Sequence, residues 1–180
     1  MRVLGLDPGS RRTGYGVIER SGNRFHCVAH GPIAPPARLD LPHRIHAIAM
    51  RAGELMEAHA PDAVVVEEAF YHESVRSTLV LGHVRGALLV TAVQRGIEVA
   101  EYSPREIKMS VTGNGGATKD QVSYMVQRLL GLRAAPQADA SDALAAALCH
   151  LHRARLSEPA RAATAAGLRL AALLAGRGRA

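Results

Sequence analysis

The chain is short of several residues that usually mark a scaffold. It has two cysteines in 180 residues, Cys27 and Cys149, without CxxC or Cys/His spacing. That pattern argues against a disulfide framework or a zinc site and for two buried thiols. Tryptophan is absent, with two phenylalanines and four tyrosines, so the adjacent pair Phe70-Tyr71 stands out. No apolar run approaches the ~20 residues of a membrane span. Arg2 is followed by too few apolar positions before Asp7 to resemble a signal peptide, so a soluble, cytoplasmic protein with no membrane attachment is expected. No internal repeat and no Ser/His/Asp series is visible. The nine histidines show no ligand spacing except His150 and His152, whose two-residue offset is poor on a helix, and they read as surface or packing groups. Lysine is nearly missing: the 22 Lys and Arg include only Lys108 and Lys119. A compact ammonium suits a single phosphate oxygen or a nucleophilic water, which gives these two a functional reading beside that of chance clustering.

A net charge of +6 and a pI near 10.0 favour a polyanionic partner, although an arginine-rich proteome produces the same balance. The length fits one domain with a sizeable core.

The organising stretch is Arg2-Val3-Leu4-Gly5-Leu6-Asp7-Pro8-Gly9-Ser10, an apolar strand ending in a carboxylate and a tight turn. Two further strands, 14–20 and 24–30, are joined by the turn Ser21-Gly22-Asn23, and Pro32, Pro35 and Pro36 are expected to end regular structure. Asp40 caps a helix over 41–59 with Leu41, Ile45, Ile48, Leu55 and Met56 on its apolar side. Residues 62–68 are dense in valine, as a strand buried on both faces would be, and end in Glu67-Glu68. A right-handed crossover lays this strand parallel to the first, so Asp7 and one of the two glutamates project from adjacent strand ends. Periodicity does not choose between Glu67 and Glu68.

Residues 74–95 read as a long helix in which Gly82 and Gly86 share one face. That face packs either on the sheet of the same chain or against a second copy across a dimer axis. A fifth strand, 97–102, is followed by a helix opened by Ser103-Pro104 and carrying Lys108. The capping box Thr118-Lys119-Asp120-Gln121 starts another helix that ends near Gly131. Lys119 there opposes the helix dipole, a conflict that a docked phosphate would relieve. The helix from Gln137 carries Asp139 and Asp142 three apart, on one face and in the first turn, where the dipole alone would favour them. Residues 157–180 form a basic Ala/Arg-rich tail, either a weak amphipathic helix or disordered, behind a domain of residues 1–156.

Acids from a first strand, a fourth strand and a late helix repel one another unless something positive sits among them. Hard divalent cations answer that need. Mg²⁺, with Mn²⁺ as substitute, held by a few carboxylates suits phosphodiester cleavage by two-metal assistance. Phe70, just after the paired acids, either stacks on or wedges between bases or plugs a helix against the sheet.

Asp7-Pro8-Gly9-Ser10 with Thr13-Gly14-Tyr15-Gly16, then Val66-Glu67-Glu68-Ala69-Phe70, then residues 137–144 closely resemble the RuvC family of Holliday junction resolvases, the crossover junction endodeoxyribonucleases, over Arg2 to about His152. The resemblance implies an α/β, RNase H-like fold, a five-stranded mixed sheet flanked by helices. It also implies a homodimer that nicks two opposed strands of a four-way DNA junction, with RuvA and RuvB branch-migration proteins as partners. By resemblance the catalytic, metal-holding acids are Asp7, Glu67, Asp139 and Asp142. Phe70 matches a junction-contacting aromatic, and Lys108 and Lys119 match basic residues near the cleaved phosphate, Lys119 with a catalytic part. Some members carry His where Asp139 stands, and others often carry Gln where Glu68 stands. Three other readings differ in a simple observable. Another RNase H-like nuclease would show no preference for four-way junctions, an actin or sugar-kinase-like ATPase would turn over ATP without cutting DNA, and a non-catalytic junction binder would not nick.

Overall fold

The computed structural model describes residues 1–68 and 74–155. Strands β1 (Arg2–Asp7), β2 (Thr13–Ser21), β3 (Arg24–Ile33), β4 (Ala63–Glu67) and β5 (Glu98–Tyr102) form one sheet in the order β3-β2-β1-β4-β5. β1, β2 and β3 are an antiparallel meander, and β4 and β5 run parallel to β1. This is the expected mixed five-stranded α/β sheet. Among the described residues five helices flank it: α1 (Leu41–His59), α2 (Val75–Val93), α3 (Pro104–Thr112), α4 (Lys119–Leu130) and α5, residues 138–155.

Local chemistry sets most boundaries. Asp40 accepts from the His43 backbone N–H at 3.1 Å and caps α1. Ser103 and Thr118 each form a capping box, with Glu106 and Gln121, at the starts of α3 and α4. Gly113 and Gly131 close those helices in the left-handed conformation that glycine adopts at least cost. One expectation is corrected. Pro32 does not end the third strand; it pairs opposite Gly14 within β3. β3 lies at the sheet edge, where a residue without an N–H costs no ladder bond.

The sheet separates two apolar layers. On one face Leu4, Leu6, Val17, Val64 and Val66 pack with Ile48, Leu55 and Met56 of α1 and Val84 and Leu88 of α2. On the other, Val3, Ile18 and Val65 pack with α3, α4 and Leu144, Leu148 and Leu151 of α5. Each of these fully buried leucines contributes about 1.5–3 kcal/mol relative to exposure. Cys149 is buried in the second layer and Cys27 is half-buried beside it; both are free thiols.

The two readings of α2 are separated by its surroundings. A Cβ added at Gly82 or Gly86 would meet no described atom within 4 Å, so this face does not pack on the chain's own sheet. Val75, Leu79, Val90 and Val93, on the same stripe, are also exposed. Among the described residues no helix is long and apolar enough to cross a membrane.

Candidate active site

The period of two along a strand decides which acids meet α5. Val3, Gly5 and Asp7 share one face of β1, Val65 and Glu67 share the corresponding face of β4, and Val3 and Val65 lie in the α5 layer. Leu6 stands opposite Val66, so Asp7 and Glu67 emerge side by side at the same sheet edge. Glu68 follows with the opposite parity, and its backbone N–H donates to the Tyr102 carbonyl at 3.0 Å.

The third element arrives because three glycines let it. A Cβ on Gly5 would stand 1.9 Å from the Ala143 carbonyl oxygen, and one on Gly14 would stand 1.9 Å from that of Asp139. On Gly16 it would meet the Leu144 side chain at 2.6 Å. These glycines pair or alternate across β1 and β2, with Gly5 opposite Gly16 and Asp7 opposite Gly14. The backbone of α5 therefore rests directly on the sheet. Its own contribution is small residues: Ala143, Ala145, Ala146 and Ala147 are buried. The start of α5, with Asp139 in its first turn and Asp142 at the opening of its second, one turn later than the sequence suggests, is seated over the strand beside Asp7.

The electrostatics record this convergence. Asp7 is pushed up to about 7, first by burial, then by Asp142, Glu67 and Asp139, with Lys119 opposing. Burial, then Asp142, also raises Glu67, against Lys119 and Lys108. The two helix acids are met by cations. The Lys119 ammonium lies 3.0 Å from Asp142 Oδ2, and this hydrogen bond holds the lysine above its ordinary value. Arg12 Nε lies 3.6 Å from Asp139 Oδ2. Lys119 thus relieves its conflict with the α4 dipole by reaching across to the Asp142 carboxylate.

Lys108, on α3, is close enough to act on Glu67. Phe70 and the tail 157–180 lie outside the described residues. His150 and His152 are packing groups, paired to Tyr102 Oη at 3.0 Å and Ser110 Oγ at 3.1 Å. Sequence reasoning missed Arg12. The signal available was the rigid turn beneath it: the buried Thr13 hydroxyl accepts from the Gly9 N–H at 3.3 Å and donates to the Gly9 carbonyl at 2.9 Å.

Two carboxylates raised by burial and by neighbouring acids, Asp7 and Glu67, beside two more acids from α5 make an oxygen donor set that fits a hard divalent cation. As the side chains stand, no group of three or more acidic, imidazole or thiol ligands among the described residues is gathered closely enough to enclose an ion. Asp139 and Asp142 are instead turned to Arg12 and Lys119.

The family model of the crossover junction endodeoxyribonuclease RuvC matches residues 3–150. The chain belongs to this family. RuvC of Hyphomonas neptunium is 49% identical over 152 residues, covering 84% of this chain and 91% of that protein. RuvC of Syntrophomonas wolfei is 46% identical over 158 residues, covering 87% and 92%. The structure of Thermus thermophilus RuvC in complex with a Holliday junction substrate superposes with a TM-score of 0.82 at 33% identity, covering 87% of this chain and 96% of that one. The fold is therefore RNase H-like, as the resemblance implied. Membership makes the protein a crossover junction endodeoxyribonuclease, and RuvC nucleases depend on a divalent metal ion.

Proposed function

We propose that the protein resolves four-way DNA junctions during recombination and repair by nicking two opposed strands symmetrically, with Asp7, Glu67, Asp139 and Asp142 holding its metal ions. One observation carries this reading: acids from β1, β4 and α5 act on one another at a single sheet edge. The junction bound by the Thermus thermophilus relative supports the substrate. The metal is Mg²⁺, with Mn²⁺ able to replace it, two per site; when bound, the ions supply an activated water and stabilise the leaving oxygen.

The chain's own residues orient and neutralise. Lys119 leaves Asp142 for the cleaved phosphate once the carboxylates have a stronger counter-charge, and Lys108 holds the neighbouring backbone. Phe70 engages the bases at the crossover, as the family pattern implies. Lys119→Ala is expected to slow cleavage about 10²-fold while changing junction affinity by less than about threefold, because it acts on charge that develops during the reaction. Single-turnover rates and gel-shift titrations check this, and a loss of affinity alone would contradict it.

A second copy of the chain completes the enzyme, since a junction with two-fold symmetry is cut in matched places by two related sites. The α2 stripe supports this: Val75, Leu79, Gly82, Gly86, Val90 and Val93 fall on one helix face, opposite the buried Val84 and Leu88. Glycines four apart allow two backbones to approach closely. Leu79→Glu places like charges across that axis and is expected to give monomers by sedimentation, with the two nicks no longer paired.

The same reading places the protein in the cytoplasm with RuvA and RuvB branch-migration proteins. Its test is a synthetic four-way junction, with duplex DNA as control, incubated with and without Mg²⁺. Paired, symmetric nicks on the junction, dependent on Mg²⁺ and with binding that weakens steeply with salt, are expected. Equal cutting of duplex DNA, or none with metal, would refute the reading.

A further inference from the structure

Both helix acids of the site already have counter-ions, and the two are held differently. Lys119 reaches Asp142 from the exposed first turn of α4, its side chain 80% exposed. Arg12 reaches Asp139 from a fixed loop. The turn that begins at Asp7 ends at Arg12, and it is closed from inside by Thr13, whose hydroxyl bonds both the N–H and the carbonyl of Gly9. Its backbone is also close-packed, because a Cβ on Gly9 would stand 2.2 Å from the Arg12 carbonyl oxygen. One short rigid turn thus presents an acid of the site at its start and a guanidinium aimed at another acid of the site at its end. The backbone that carries this cation is fixed, so an approaching ion displaces the guanidinium from Asp139 through rotation of the Arg12 side chain alone.

We infer that Arg12 is a built-in competitor for the divalent ion at Asp139, which raises the metal concentration at which the site fills. The inference rests on reading Asp7, Glu67, Asp139 and Asp142 as the metal site. The ion pair is half-exposed, so its hold is modest.

The test is Mn²⁺ titration of the DNA-free protein, following unbound Mn²⁺ by its paramagnetic resonance signal. Wild type is compared with Asp7→Asn, Arg12→Gln, Arg11→Gln, Asp139→Asn and the Arg12→Gln/Asp139→Asn double variant. Arg12→Gln is expected to bind Mn²⁺ about three- to tenfold more tightly. Arg11→Gln, which removes the same charge from the adjacent exposed position, is expected to change binding less than about twofold. In the Asp139→Asn background, Arg12→Gln should have no further effect, since the two groups act as a pair. Equal tightening by Arg11→Gln and Arg12→Gln, no tightening by Arg12→Gln, or an Arg12→Gln effect that persists without Asp139 would overturn the inference. Asp7→Asn separates the two failures. Loss of Mn²⁺ binding in that variant upholds the site, whereas wild-type binding there would overturn the site and this inference together.

Discussion

Asp7→Asn is expected to lose junction cleavage by on the order of 10³-fold or more, beyond the ~10–100-fold typical of removing a group that only supports a ligand. Junction affinity should be nearly unchanged, because no basic contact is removed. The substitution keeps the shape of the side chain and removes a charge that the fold holds at a cost. Asp7 is raised from 3.8 to about 7 by burial and by three neighbouring acids. The folded protein therefore binds this proton more tightly than the unfolded chain does. The stability of the metal-free protein should fall as pH rises from about 4 to about 7, and the penalty is fully present above that window. Its upper limit is about 4 kcal/mol, less the screening of a partly exposed group. Metal-free Asp7→Asn is thus expected to melt higher than wild type at pH 8 and to show a flatter pH profile. Added divalent ion should raise the melting point of wild type and leave the variant nearly unmoved. Wild-type cleavage by Asp7→Asn, or a lower metal-free melting point, would contradict the assignment.

The features that could be read from the sequence are those with local causes. The capping residues Asp40, Ser103 and Thr118 fixed three helix starts, and the turn after Asp7 marked the end of β1. Parallel pairing of β1 with β4 followed from the handedness of the crossover. The choice between Glu67 and Glu68 did not, since it needs to be known which sheet face α5 covers, and that is a tertiary fact. Pro32 was misread because a proline at a sheet edge is tolerated, and edge position is not local information. The pairing of Arg12 with Asp139 joins residues far apart in the chain, and a basic chain has many arginines that could have filled the role. The seat of α5 did leave a trace, in the alternation Gly14-Tyr15-Gly16 and in Gly5 two residues before Asp7. Glycine inside a strand marks a close backbone approach, and here it marks where the second half of the site docks.

That trace gives the other large effect. Gly14→Ala is expected to damage the site without touching any acid or base. The added Cβ would stand 1.9 Å from the Asp139 carbonyl oxygen and 2.3 Å from its carbon, both backbone atoms that no rotamer change can move. Ordinary contact requires the first turn of α5 to lift by roughly 1.5 Å. Overpacking of this kind costs about 1–3 kcal/mol of stability. The displacement itself matters more, since misplacing reacting groups by ~1 Å costs about 10²-fold in rate. Cleavage should therefore fall about 10²-fold in protein that remains folded by circular dichroism, with Mn²⁺ affinity falling alongside it. Gly16→Ala supplies the control. Its Cβ would meet the Leu144 side chain at 2.6 Å and the nearest helix backbone atom, Leu144 Cα, only at 3.1 Å, so α5 has to shift less and the rate loss should be several times smaller. If both variants lost rate equally, general loosening of the sheet would explain the result. If only Gly14→Ala did, the contact between β2 and the Asp139 backbone is what sets the distance from the helix acids to Asp7.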